Sequence, residues 1–191
     1  MKIYKLAEDY NKMKSWFEER TNRHIKLVQD FCKKIEEYDP KKFKGLVEQA
    51  KDHDASKFED PEVEPYIYVT WEYKCKDDGI KFEGPEGIKD KMNEATNHHV
   101  RHNKHHPESH CDSKDINLIN RDDRDKKPDK IVDATKMPDI DVAEMCADWF
   151  SMSVEKSSHP KDWADKNVNI RWKFNDKQKD LIYELIEKIW E

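Results

Sequence analysis

His53-Asp54-Ala55-Ser56-Lys57-Phe58 is the stretch from which the rest of the chain can be read. A histidine followed directly by an aspartate offers one metal ion an imidazole nitrogen and a carboxylate oxygen. The segment leading into the pair gives it a direction. Asp39 stands where a helix N-cap belongs, with Pro40 at the first helical position. Phe43, Leu46, Val47 and Ala50 then fall at the spacing of one helix face, and the same spacing continues onto His53 and Asp54. This predicts a helix whose buried face delivers the pair at its C-terminal end. A carboxylate in an apolar site is very costly without a partner, so further inward-facing ligands are expected elsewhere in the chain.

The flanking segments offer them. Residues 5–19 read as a helix with Leu6, Tyr10, Met13 and Phe17 on one face, followed by or continuous with a second over 21–38. The stripe of that second segment is Val28, Phe31, Cys32 and Ile35, and His24 lies one turn before Val28. Residues 61–76, rich in Tyr66, Tyr68, Trp71 and Tyr73, are expected to be helical. Gly79 and Gly84-Pro85 mark turns, with a short hairpin between them as the alternative. From Glu86 the apolar pattern Ile88, Met92, Ala95 passes at the same steps into His99, His102 and His106, so one face changes from hydrocarbon to imidazole. Six of the nine histidines lie between His98 and His110. His99 and His106 are two turns apart, roughly 10 Å along a straight helix. They reach one ion only if the helix ends or bends between them, and Pro107 places an ending nearby.

Residues 107–139 read as a long charged loop or a lid, with Arg121 to Lys130 almost wholly charged. A helix over 140–153 carries Asp148 on a stripe between Met145 and Met152, where ligation explains a carboxylate better than packing does. Residues 163–174 are expected to form a loop sealing the core, and residues 177–190 a packing helix.

Composition narrows the function classes. The chain has 191 residues, 35% hydrophobic and 41% charged, a lean core under a heavily charged surface that suits one domain over 1–191. Four glycines disfavour a glycine-loop nucleotide fold, and the net charge of -6 argues against nucleic acid or an anionic membrane surface as partner. No apolar run approaches a membrane span, and Met1-Lys2-Ile3-Tyr4-Lys5 lacks the apolar core of a signal peptide. Cys32, Cys75, Cys111 and Cys146 are far apart with no C-x-x-C pair. Reduced thiols in a cytoplasmic protein are the expectation.

In chain order the ligand-type residues are His24, then His53 and Asp54, then His99 with His105 or His106, then Asp148. This order resembles the H…HD…D pattern of the HD-domain superfamily of metal-dependent phosphohydrolases, and the extra histidines resemble its binuclear branch. His53-Asp54-Ala55-Ser56-Lys57 is similar to that branch's H-D-x-G-K, with Ser56 in place of glycine. His105-His106-Pro107-Glu108 is similar to its second histidine motif, although no GYP signature follows. The segments His53–Phe58, His99–His106 and Glu144–Trp149 also look like a family of small uncharacterised phage and bacterial proteins. The resemblance covers the chain from His24 to Ser153.

The resemblance implies an all-α, HD-like helical bundle with a metal site between helices. Imidazole and carboxylate donors suit one or two divalent transition metals, Mn, Fe, Co, Ni or Zn. Asp54 would bridge them, Asp54 and Lys57 would be catalytic, and Lys57 and Asn103 would meet a small phosphorylated substrate. The expected activity is hydrolysis of a nucleotide or other small phosphoester, in the cytoplasm of a bacterium or phage-infected host. An HD-type di-iron oxygenase and a non-catalytic, metal-stabilised interaction protein are the alternatives.

Overall fold

The computed structural model describes residues 2–112, 120, 121, 126 and 128–190, with side chains from residue 9 onward. Its fold is all-α. The first element, α1 (Lys2–Tyr38), is one unbroken helix of 37 residues. No glycine or proline interrupts this stretch, and the inward stripe runs through Phe17, Thr21, His24, Val28 and Ile35 without a phase break. The two segments expected there are therefore continuous; Leu6 lies outside the described side chains.

The helix expected from Pro40 to Asp54 does not form. Asp39 does cap a turn, its Oδ1 accepting the Lys41 and Lys42 amides at 3.2 and 3.0 Å. Gly45 then takes a left-handed φ of 94° and stops it. Beyond Gly45 lie a four-residue α2 (Leu46–Gln49) and a 3-10 turn over Ala50–Asp52. A second 3-10 turn, Ala55–Phe58, leads to α3 (Val63–Asp77). The chain between Gly79 and Gly84 forms no strand, which excludes the hairpin alternative. Next come α4 (Ile88–His102) and a 3-10 turn over Pro107–His110.

Residues 113–119, 122–125 and 127 of the charged segment lie outside the described residues. Its far end forms β1 (Val132–Asp133) before α5 (Asp139–Lys156). The stretch expected to be a sealing loop is instead α6 (Pro160–Asn167) followed by β2 (Trp172–Lys173), which pairs in parallel with β1. His159 caps α6 by accepting the Lys161 amide at 3.1 Å, with Pro160 at the first helical position. The sealing role holds for the strand: Trp172 is buried and stacks on Trp149 at 5.8 Å. Finally α7 (Asp176–Leu185), opened by a capping box at Asn175, runs into a π-helical turn at Ile186–Trp190.

Two buried apolar clusters share α1. Its C-terminal half, with α2, α5, α6 and α7, packs Val28, Ile35, Leu46, Phe150 and Ile182 into the larger one. Phe17, with α3 and α4, forms the smaller around Ile67 and Met92. His24 falls on α1 between Phe17 and Val28, at the seam where polar side chains collect.

Candidate metal centre

Four parts of the fold converge on this seam. His24 comes from α1 and Asp148 from α5. His53 leaves the helical turn in an extended conformation, and Asp54 takes φ 59°, ψ 11°, a left-handed geometry that Asp tolerates better than most residues. This reversal, rather than a helix face, aims the two side chains. The last inward residue of α4 to carry a donor is His99; the helix stops at His102, and Asn103 turns extended. The break folds His105 and His106 back beside His99, which a straight helix forbids. His102, whose spacing places it on the inward stripe, is exposed and stacks on His98 at 4.0 Å.

Asp54 lies at the centre, and its side chain is 1% exposed. Its Oδ2 lies 3.6 Å from His24 Nε2 and 3.8 Å from His53 Nε2. Its Oδ1 lies 3.1 Å from His99 Nε2 and 3.6 Å from His105 Nε2. Asp148 Oδ1 is 3.0 Å from His24 Nε2. Donor atoms of His24, His53 and Asp148 lie within 4.8 Å of one another, and so do those of His99, His105 and His106. His24 and His53 thus approach one oxygen of Asp54, and His99 and His105 the other. His53 Nε2 and His106 Nε2 are buried and have no hydrogen-bond partner among the described residues. Leaving such atoms unsatisfied costs about 1–3 kcal/mol each, so a divalent ion fits the site chemically.

The opposite edges of these rings are held by carboxylates absent from the ligand set expected above. Glu144 Oε1 accepts from His53 Nδ1 at 2.8 Å and lies 3.5 Å from His105 Nδ1. Glu62, fully buried, accepts from His99 Nδ1 at 2.9 Å, His98 Nδ1 at 2.7 Å and Ser56 Oγ at 2.9 Å. Ser151 Oγ and Glu155 sit at 2.8 and 3.4 Å from His24 Nδ1. With protons on Nδ1, the His53 and His99 rings present Nε2 lone pairs to the centre, the orientation that metal ligation requires. A signal for Glu144 existed, because it precedes Asp148 by one helical turn. Glu62 lies just before α3 and had none.

Electrostatics pull these groups apart. Burial alone would depress the His24 imidazolium, but hydrogen bonds to Asp148 and Glu155 outweigh it and raise its pKa to about 9. Burial would raise the Asp54 carboxyl; Lys57, His53 and His99 overcome this and hold it well below the usual carboxylate range. Asp148 and Glu144 are likewise depressed, their burial outweighed by His24 and by His105 with His53 respectively. Burial, reinforced by neighbouring imidazoles, lowers His105, and lowers His106 well below the ordinary value.

A family model described as a family of unknown function, DUF5662, matches residues 13–188. The chain belongs to DUF5662. Neither the curated proteins nor the solved structures gave a match. All the converging residues of this DUF5662 chain lie within the matched span.

Above them opens a cavity of about 230 Å³. In this DUF5662 protein, His24, Asp54, His99, His105, His106 and Asp148 line it from the centre. Lys57 also lines it, its Nζ 2.5 Å from Asp54 Oδ2 and 5.2 Å from the Tyr66 ring centroid. Asn103, expected to meet substrate, is not among the lining residues. Its Nδ2 donates to Ser56 Oγ at 3.0 Å and to the His99 carbonyl at 2.9 Å, tying the end of α4 to the turn after Asp54. No helix, among the described residues, is long and apolar enough to cross a membrane.

Proposed function

We propose that this protein is a metal-dependent phosphohydrolase of the HD-like kind, acting on a small phosphoester through a two-ion site. One observation carries the reading: the carboxylate that faces both imidazole sets lies at the base of a cavity rich in cations. Arg20, Lys57, Arg121, Lys156 and Arg171 line that cavity, against the carboxylates Asp54, Glu108 and Asp148. The chain as a whole carries a net charge of -6, so this local excess is opposite in sign to the protein. It suits an anionic substrate and has no evident use for a neutral oxygenase substrate.

His24, His53 and Asp148 would hold one ion and His99, His105 and His106 the other, with Asp54 shared. Such a pair supplies a hydroxide at neutral pH and neutralises phosphoryl oxygens. The protein's own share is positional. Glu62 and Glu144 fix the imidazoles, and Lys57, held by Asp54 against Tyr66, offers its ammonium to the charge that develops on the phosphoryl group. Water's oxygen forms the new P–O bond, the ester P–O bond breaks, and the leaving oxygen takes up a proton.

The test is phosphate release from a panel of phosphomonoesters and nucleotides by Mn-loaded protein, with and without chelator. Release that chelator and Asp54→Asn both abolish is the expected result. Oxygen consumption by Fe-loaded protein, with no phosphate released from any ester, would transfer the assignment to an oxygenase.

A further inference from the structure

Arg121 is one of the cavity's cations to which the metal chemistry gives no role. It is carried by the charged segment after α4, yet its side chain is only 9% exposed. Its backbone N–H donates to Asn93 Oδ1 at 3.0 Å, fixing it to α4. Its guanidinium stacks 5.1 Å from the Tyr73 ring centroid, and one Nη contacts Glu72 at a long 3.4 Å. Its Nε is buried without a hydrogen-bond partner among the described residues. A buried guanidinium normally satisfies its donors in full, and a planar fork laid on an aromatic ring is prepared for a bidentate anion.

Two helices give its distance from the metal centre. On α4, Asn93 precedes His99 by six residues, roughly 9 Å of helix rise. On α3, Tyr73 follows Tyr66 by seven residues, roughly 10 Å of rise, and Tyr66 packs edge-on against His99 at 5.5 Å. Both measures put Arg121 about two helical turns from the ions' ligands, along one wall of the same cavity. Val69 and Thr70 on α3 and Thr96 on α4 lie between those landmarks and line the cavity.

We infer that Arg121 forms a second anion site, so the substrate carries a phosphoester at one end and another anionic group, phosphate or carboxylate, at the other. The inference rests on the phosphohydrolase reading for the first site. Arg121 is then a specificity determinant, remote from the reacting phosphorus, and Glu72 is the carboxylate that the second anion competes with or displaces.

Calorimetric binding to Mn-loaded protein tests it with hexyl phosphate, hexanediol bisphosphate and phosphorylated hydroxyhexanoate. At least one doubly anionic probe is expected to bind about 10- to 100-fold tighter than hexyl phosphate, the range of charge-assisted hydrogen bonds. Arg121→Gln should erase that advantage, weakening the doubly anionic probe far more than hexyl phosphate, with Mn content unchanged. Glu72→Gln, which keeps the arginine and removes its competitor, should widen it. Equal binding of all three probes by the unaltered protein, or an advantage that survives Arg121→Gln, overturns the second site and leaves the phosphohydrolase reading standing. Failure of all three probes to bind overturns that reading as well.

Discussion

Glu144→Gln and Glu62→Gln should separate the two halves of the centre. Glu144 touches one ligand of each imidazole set, His53 at 2.8 Å and His105 at 3.5 Å. Glu62 touches only His99, at 2.9 Å, among the proposed ligands. Glutamine keeps the acceptor oxygen and removes the charge. A hydrogen bond to a charged partner contributes about 1.5–3 kcal/mol and a neutral one about 0.5–1.5. The loss is then about 1–1.5 kcal/mol per ring, roughly tenfold in affinity, the lower end of what substitutions behind metal ligands cost. In a Mn titration followed by metal analysis, Glu62→Gln should weaken one of two binding steps about tenfold and spare the other. Glu144→Gln should weaken both, the His53 step more than the His105 step because its hydrogen bond is shorter. A single binding step in the unaltered protein, or equal loss of both ions in Glu62→Gln, would refute the division of Asp54 between two ions.

Lys57→Ala should keep its metal and lose about 10²-fold or more in turnover, the cost of one electrostatic contact in a transition state; full phosphoester activity in that variant removes Lys57 from the mechanism. Chelation should lower the midpoint of thermal unfolding. At a metal concentration about a thousandfold above Kd, binding contributes about 4 kcal/mol, or about 8–16 °C for a chain of this size; an unchanged midpoint argues that no ion is bound. Metal affinity should rise with pH up to about 9, because His24 holds its proton to about that value and must release it to ligate, and proton release measured on Mn addition checks this. In the metal-free protein His24 is raised from its ordinary value to about 9, so the folded state binds more protons there and stability falls as pH rises through 9. His105 and His106 are lowered, so below about pH 6.5 the unfolded state binds more protons and stability falls again as pH drops. Denaturant midpoints across pH should therefore peak near the ordinary imidazole value of about 6.5 and fall on both sides of it, and a flat profile would contradict the assigned charge states.

The all-α fold, the inward positions of His24, His99 and Asp148, and the pairing of His53 with Asp54 were legible in the order and spacing of residues. A helix face is a property of residues three and four apart and needs no knowledge of neighbours. Packing set the rest. The direction of Asp54 was illegible because its left-handed backbone depends on where Gly45 ends one turn and where Ser56 is tied to Glu62. The joining of His105 and His106 to His99 rests on α4 stopping at His102 rather than at Pro107. Glu144 was marked only by its place one turn before Asp148, and its contacts with His53 and His105, like Glu62 and the arginine beside Tyr73, were beyond reach for the same reason. Each acts through a partner at least 37 residues away in sequence, and no local spacing encodes a contact that only the packing of separate helices creates.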